Sequence, residues 1–184
     1  MENYKNILIT GGAGFIGSHL IRALLKKTTS KIYNLDNLNY ASSLDSLTDI
    51  NQNKNRLFTH KLDLKNKSLV DQYVNNSDPD LIIHLAAETH VDRSLDDPFK
   101  FIESNIIGTF NILEAALKHF KKLSKNRKET FRFHHVSTDE VFGSLGDKGK
   151  FDENSRYQPR SPYSASKASS DHLVRAWHHS YELP

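Results

Sequence analysis

The sequence predicts a doubly wound α/β fold, a parallel sheet with helices on both faces. Three observations predict it. Short apolar runs alternate with stretches of helical periodicity, five times along the chain. A glycine-rich turn, Gly11-Gly12-Ala13-Gly14-Phe15-Ile16-Gly17, joins the first run to the first helical stretch. Acidic and hydroxyl side chains recur just past the runs, where the ligand crevice of such a sheet lies.

Asn6 to Thr10 reads as the first buried strand, and Ser18 to Lys27 carries Leu20, Ile21, Leu24 and Leu25 at helical spacing. Between them Gly11, Gly14 and Gly17 form G-x-x-G-x-x-G, a variant of the dinucleotide fingerprint. Small residues let the backbone approach a pyrophosphate, whose charge the helix N-terminus meets. Outside a strand–turn–helix context such glycines would mark only a turn. Lys31 to Leu35 is the second strand, with Asp36 at its tip. An acid there can accept hydrogen bonds from adenosine ribose hydroxyls and repels a 2'-phosphate, which selects NAD over NADP. Without the glycine motif it would read only as a strand-end acid that caps a turn.

Leu57 to Leu62 is the third strand, followed by Asp63 and Leu64. Asp63 either meets the adenine or caps a helix over Ser68 to Val74, and the residues alone do not choose. Asp80 to Leu85 is the fourth strand, after which Ala86, Ala87 and Thr89 offer small side chains beside the cofactor path. His90 reads as a packed or hydrogen-bonded residue rather than a ligand, and the ten histidines show no metal-ligand spacing. Pro98 to Phe120 is the longest helical pattern, with Phe101, Ile102, Ile106, Phe110, Leu113 and Leu117 on a broad apolar face. That face suits the sheet alone, or the sheet and a partner subunit together. Gly108 permits close packing. Lys118 to Lys128 is basic and reads as a solvated helix end plus a polar loop, not as a nucleic-acid surface.

Phe131 to Val136 is the fifth strand. Directly after it come Thr138, a neutral donor, and Asp139 and Glu140, each able to give or take a proton. A bare acid pair of this kind could be a solvated turn. Ser144 to Pro162 reads as a surface loop whose Phe151, Asp152, Glu153 and Tyr157 are candidates to lie over the site. Pro162 leads into a helix from Tyr163 to Tyr181. Tyr163 and Lys167 stand four residues apart and therefore share one helical face.

Composition narrows the class. The 184 residues suit a single domain, 1–184. Without cysteine there is no disulfide, thiolate metal site or cysteine nucleophile. The net charge of +3 is too mild to argue for nucleic acid. The N-terminus lacks a signal-peptide layout, and no apolar run approaches the roughly 20 residues of a membrane span. A cytoplasmic protein without a membrane partner is expected.

Four motifs taken together, G-G-A-G-F-I-G, L-A-A-E-T-H-V-D-R-S, S-T-D-E-V-F-G and Y-S-A-S-K, resemble the extended short-chain dehydrogenase/reductases. Within that superfamily they look most like the dTDP-glucose 4,6-dehydratases, and S-P-Y-S-A-S-K-A-S-S-D-H-L-V-R-A-W supports the narrower likeness. The likeness covers essentially the whole chain. The related 4-epimerases usually have serines or threonines where the acid pair Asp139-Glu140 stands. The resemblance implies a Rossmann-type fold, NAD as cofactor, and a nucleoside-diphosphate glucose as substrate. It implies cofactor contacts at Gly11, Gly14, Phe15, Ile16, Gly17, Asp36, Asn37, Asp63, Leu64, Ala86, Ala87 and Thr89, with Ser104, Tyr163 and Lys167 bordering the cofactor. Thr89, Thr138, Asp139, Glu140 and Tyr163 would meet the substrate.

The chemistry follows from the groups. Tyr163 has an ordinary pKa near 10, which the Lys167 charge and the nicotinamide cation are expected to lower. Tyrosinate takes the proton of the sugar 4-hydroxyl while NAD takes the C4 hydride. Thr138 hydrogen-bonds that oxygen, Glu140 removes the acidified C5 proton, and Asp139 protonates the leaving C6 hydroxyl. Hydride then returns to C6, so the reaction is redox-neutral. Asp139 must begin protonated and Glu140 ionised.

Members of this family are much longer, and glycine is usual where Glu182 stands. The expectation is therefore a cofactor half that carries the catalytic residues, without the C-terminal substrate-binding domain. A sheet ending at its fifth strand should leave an edge and an apolar face uncovered. A homodimer through the helices at 98–120 and 163–181, or a complementary C-terminal chain, would cover them. Another sugar-nucleotide epimerase or dehydratase, or a non-catalytic NAD-binding module, remains as an alternative. The choice between dTDP- and UDP-glucose stays open.

Overall fold

The computed structural model describes residues 4–53 and 55–184. Five strands form one sheet: β1 (Asn6–Thr10), β2 (Lys31–Asp36), β3 (Leu57–Lys61), β4 (Leu81–His84) and β5 (Arg132–His135). Each coincides with one of the expected apolar runs. All neighbours pair in parallel, in the order β3-β2-β1-β4-β5. Crossovers from β1 run first toward β2 and β3, then to the other side through β4 and β5. The direction reverses between β1 and β4, and a crevice opens beyond the carboxyl ends of those two strands. This is the doubly wound, Rossmann-like sheet that the alternation predicts.

Side-chain alternation along the central strands divides the core. Ile7, Ile9, Ile32, Leu81 and Ile83 face α1 (Phe15–Lys27), meeting Ile21, Leu24 and Leu25. A 3-10 helix at Leu44–Asn53 adds Leu47 to that layer. Leu8 and Ile82 point the other way, into a layer with Val70 and Val74 of α2 (Lys67–Ser77). Fully buried side chains of this size contribute about 1.5–3 kcal/mol each. Remaining helices are α3 (Val91–Asp96), α4 (Pro98–Phe101), α5 (Gly108–Lys122), α6 (Lys125–Thr130) and α7 (Pro162–Tyr181). Helices α5 and α7 complete the second layer with Ile112, Leu113, Ala116, Leu173 and Val174.

The structure corrects several expectations. The pattern from Pro98 to Phe120 is not one α-helix, because a π-helical turn, Ile102–Ile107, separates α4 from α5. That turn points Asn105 inward and leaves Ile102 and Ile107 outside. Gly108 does allow close approach, since a Cβ there would stand 3.3 Å from Leu64 Cβ. The basic stretch after Lys118 is not a polar loop past the helix end. It folds as α6, and Arg127 donates to both Asp78 and Asp80 at 2.7–3.0 Å. Asp80 also accepts from the backbone N–H groups of Lys5 and Asn6, so these charges tie α6 to the start of β1.

The side of β5 turned away from α7 is polar rather than apolar, carrying exposed Arg132 and His134. Phe131 and Phe133 pack into the α5–α7 layer, and Phe133 N–H donates to Pro184 O. His90 is exposed at the start of α3, neither packed nor capping it. Among the described residues no helix is long and apolar enough to cross a membrane, and no cluster of potential metal ligands occurs.

Candidate active site

The turn from β1 to α1 brings backbone segments so close that most of its glycines have no room for a Cβ. Gly11 has φ +74, and a Cβ there would lie 2.8 Å from the Ala86 backbone. A Cβ on Gly17 would lie 2.2 Å from Gly11 O. Gly14 differs, because its nearest neighbour to an added Cβ is Gly11 O at 3.4 Å. Gly14 is the N-cap of α1 in extended geometry, with no side-chain cap and no acid in the first turn. The amino end of α1 therefore opens on the crevice as an uncapped, partially positive group.

Asp36 locks this turn. Its Oδ2 accepts from Ala13 N–H at 2.9 Å, and its Oδ1 from Leu38 N–H at 2.9 Å and Ser42 Oγ at 2.7 Å. Only 4% of the residue is exposed. Three of the four acceptor sites of a carboxylate are used, so one remains. Asp63 accepts from Lys65 N–H in a local turn, while Asn66 caps α2 through Leu69 N–H. The helix-capping role weighed for Asp63 therefore belongs to Asn66.

A second set of residues comes from β5 and α7. Thr138 caps a 3-10 turn, Asp139–Phe142, by accepting from Glu140 N–H. Gly143 ends the turn at φ +100, where a Cβ would stand 2.8 Å from Gln158 O. Helix α7 begins with Pro162 and a capping box in which Ser161 and Ser164 exchange side-chain-to-backbone hydrogen bonds at 3.0 Å. This start sets Tyr163 and Lys167 on the buried face, 7% and 4% exposed.

Lys167 Nζ donates to Val136 O at 2.7 Å. Burial pushes its pKa down to about 8, although the Asp171 carboxylate works against the fall. Burial also raises Tyr163; hydrogen bonding to Thr138 opposes that, but Glu140, Asp139 and Asp171 reinforce it. The lowered phenol expected from Lys167 is thus not found in this structure. Burial and negative neighbours outweigh a lysine that is itself desolvated.

One cleft of about 560 Å³ joins the two sets. It is lined by Gly11, Gly14, Phe15, Ile16, Gly17, Asp36, Asn37, Asp63, Leu64, Ala86, Ala87, Thr89 and Ser104 on the cofactor side. Thr138, Tyr163 and Lys167 line its other end. Asp139 and Glu140 do not line it; they sit on the turn beyond Thr138, Asp139 exposed and Glu140 partly covered. The loop at 144–162 does not cover the cleft either. Phe151 and Tyr157 pack on Phe142 with ring centroids 5.4 Å away, on the outer side of the turn.

Several residues escaped sequence reasoning. Asn39, Ala41 and Ser42 line the cleft from the segment after β2, where no motif marks them. Glu88 is buried and accepts from Asn39 Nδ2 and Tyr40 OH, while Asn105 bonds both Glu88 backbone groups and Ser166 Oγ. His84 is buried between Thr10 and Thr109 hydroxyls at 2.7 and 3.0 Å. Desolvation, with His135 and Lys167 nearby, holds it well below the usual imidazole range and hence neutral. The signal for all three was polarity inside a buried run, but it does not name partners.

The chain is similar in sequence and fold to several known proteins. The dTDP-glucose 4,6-dehydratase of Neisseria gonorrhoeae is 49% identical over 184 residues, all of this chain and 53% of that protein. The dTDP-glucose 4,6-dehydratase DesIV of Streptomyces venezuelae, solved with NAD bound, superposes with a TM-score of 0.85 at 39% identity, over 96% of this chain and 52% of that one. A UDP-glucose 4-epimerase of Thermus thermophilus, also complexed with NAD, gives 0.82 at 29% identity, over 96% and 52%. The chain spans about half the length of the curated relatives it matches. The family model described as GDP-mannose 4,6 dehydratase matches residues 8–184, and the chain belongs to that family.

Proposed function

We propose that these residues form the cofactor-binding and catalytic part of an NAD-dependent nucleotide-sugar 4,6-dehydratase, a lyase that converts dTDP-glucose to dTDP-4-keto-6-deoxyglucose and water. The observation that carries this reading is a single cleft holding the glycine turn and Asp36 at one end, and Thr138, Tyr163 and Lys167 at the other, beside the acid pair. The cleft fits a dinucleotide. The open Gly14 and the uncapped amino end of α1 would meet the pyrophosphate, and the spare acceptor site of Asp36 a ribose hydroxyl. Bound there, NAD supplies a reversible hydride acceptor for the sugar. The names of the relatives, dTDP-glucose 4,6-dehydratases, favour the same substrate.

Each side chain then has one task. Tyr163 takes the 4-hydroxyl proton, and Thr138 hydrogen-bonds that oxygen. The resulting 4-ketone acidifies C5, whose proton Glu140 removes and later returns. Asp139 donates the proton with which the C6 hydroxyl leaves as water. Lys167 borders the cofactor from the same helical face as Tyr163 and donates to Val136 O. The acid pair argues against an epimerase.

We also propose a cytoplasmic homodimer. The outer faces of α3, α4 and the π-turn expose Leu95, Phe99, Ile102 and Ile107, apolar side chains that a second copy would cover. Light scattering that shows only monomer over a wide concentration range overturns this. A second functional reading, an NAD-binding module that does not turn over alone or needs a complementary C-terminal chain, is favoured by the half-length match. The deciding experiment incubates the chain with NAD and dTDP-glucose and weighs the sugar nucleotide, with Tyr163→Phe beside it. Loss of one water that the variant does not catalyse supports the dehydratase. Tight NAD binding with an unchanged sugar supports the module.

A further inference from the structure

Asp171 lies on α7 one turn past Lys167, outside the cleft lining, and is 7% exposed. Its Oδ2 accepts from Ser137 Oγ at 2.6 Å and from Tyr157 OH at 3.0 Å; its Oδ1 faces His135 Nε2 at 3.0 Å. His135 belongs to β5, Ser137 immediately precedes Thr138, and Tyr157 belongs to the loop that returns past the acid pair. One buried carboxylate on α7 therefore joins three segments: its own helix, the end of β5 with Ser137 just past it, and the loop that carries Tyr157. The Tyr157 ring lies between Phe142 and His172, at centroid distances of 5.4 and 5.0 Å. Gln158 N–H, next along, donates to Val141 O at 2.9 Å. The loop is thus strapped to the outer side of the acid-bearing turn, and Asp171 holds the strap.

We propose that Asp171 is a positioning residue: through Ser137, Tyr157 and His135 it fixes the Thr138–Asp139–Glu140 turn against Tyr163, and its charge keeps the Lys167 ammonium in place. The chemical purpose rests on the dehydratase reading, whereas the geometry stands on hydrogen bonds alone. Burial works to raise the carboxyl's pKa, but hydrogen bonds from His135, Ser137 and Tyr157 outweigh it and hold the group below its usual range. Asp171 is the charge that supports Lys167 against desolvation. The other groups facing this cluster are His84 behind His135, His134 on the same strand, Arg175 beside Tyr157, and Asp139 and Glu140 across Tyr163. Asp171→Asn keeps the shape and removes the negative charge, and Val136 O, which accepts from Lys167 Nζ, is a neutral carbonyl that does not replace it.

The test reads the unliganded chain, so it does not depend on turnover. Acetic anhydride labelling of Lys167, followed by peptide mass spectrometry across neutral to alkaline pH, gives the midpoint at which the amine loses its proton. In the unaltered chain that midpoint should fall at about 8, where burial pushes the amine. Asp171→Asn should lower it by about one unit. Backbone hydrogen exchange at 138–143 and 155–160 should speed up by about tenfold in the same variant. An unmoved midpoint with unchanged exchange in a folded Asp171→Asn chain overturns the proposal. Should that variant not fold, the Ser137→Ala/Tyr157→Phe pair decides: faster exchange at 138–143 with the Lys167 midpoint retained supports the strap, and unchanged exchange refutes it. Failure here leaves the dehydratase reading intact, whereas failure of the unaltered chain to release water would leave the role of Asp171 in the fold intact.

Discussion

Gly14 and Gly17, three residues apart at the start of α1, should fail in opposite ways when each gains a methyl group. At Gly17 a Cβ would sit 2.2 Å from Gly11 O and 2.6 Å from Gly12 Cα, both backbone atoms that cannot swing aside. Alanine in a helix is worth about 1 kcal/mol over glycine. Overpacking against a fixed backbone costs about 1–3 kcal/mol or more, and here it must also push α1 off β1. Gly17→Ala should therefore lose about 2 kcal/mol net or more, roughly 4–8 °C in Tm for a chain of this size. Gly14 has φ −77 and ψ 177, which alanine adopts freely, and its added Cβ meets Gly11 O at 3.4 Å and Ala41 O at 4.0 Å, ordinary contacts. Gly14→Ala should melt within about 0.5 kcal/mol of the unaltered chain. Its methyl would instead stand between the α1 amino end and the pyrophosphate, and NAD affinity should fall by about tenfold or more. Thermal melts by circular dichroism and NAD titration by calorimetry read the two effects separately. If Gly14→Ala binds NAD as before, or melts as early as Gly17→Ala, the assignment of the pyrophosphate to this turn is wrong.

Lys167 is protonated with a folded pKa of about 8 against 10.5 in the ordinary side chain, so its burial costs roughly 3 kcal/mol below pH 8. The unfolded chain holds more protons between those values, so stability rises as pH climbs from about 8 to 10.5 and the cost disappears. Lys167→Met should accordingly be the more stable chain at neutral pH in denaturant titrations, with an advantage that closes over that window; equal pH dependence of the two would refute this. Glu140→Gln should leave NAD affinity within about twofold, because Glu140 lies off the cleft lining, and under the proposed function should abolish water loss. Glu182 caps α7 in the left-handed region at φ 55, where a side chain costs about 1–2 kcal/mol. Glu182→Gly should raise Tm by roughly 2–4 °C, and a lower Tm would count against the cap geometry.

The sheet and the cofactor side of the cleft were legible because they depend on local pattern. Apolar runs of strand length, and glycines at a strand–helix junction, carry their structure in a few consecutive residues. Even the departure at Glu182 had a meaning the sequence hinted at, since glycine suits the left-handed cap that the structure contains there. What was not legible depends on long-range pairing. The π-turn before Gly108 keeps nearly the same apolar spacing as a plain helix, and only the bonds of Asn105 to Glu88, 17 residues away, reveal why the helix widens there. Arg127 looked like one cation in a basic run until Asp78 and Asp80 stood opposite it. Likewise a polar loop rich in glycine and proline gave no sign that Tyr157 would bond a carboxylate on α7.

The protonation of Tyr163 shows what the chain lacks by itself. Its phenol is held above the ordinary value by burial and by Glu140, Asp139 and Asp171, with only the Thr138 hydrogen bond opposing them. Lys167, the residue meant to lower it, sheds its own proton at about 8. As pH rises the lysine is therefore neutralised before the tyrosine ionises, and a neutral amine offers no charge to a tyrosinate. The cation that could lower the phenol must come from what occupies the cleft, and an oxidised nicotinamide brings one while the reduced ring does not. The site would then be armed by NAD+ and disarmed by its reduced form, a coupling that keeps the base quiet until a hydride acceptor is present. Ultraviolet difference titration of tyrosinate, with Tyr163→Phe subtracted, measures this directly. The Tyr163 midpoint should fall on addition of NAD+ and fall less, or not at all, with NADH. Equal shifts with both forms would mean that the dinucleotide acts by excluding water or moving Lys167, and that its charge is not what activates the base.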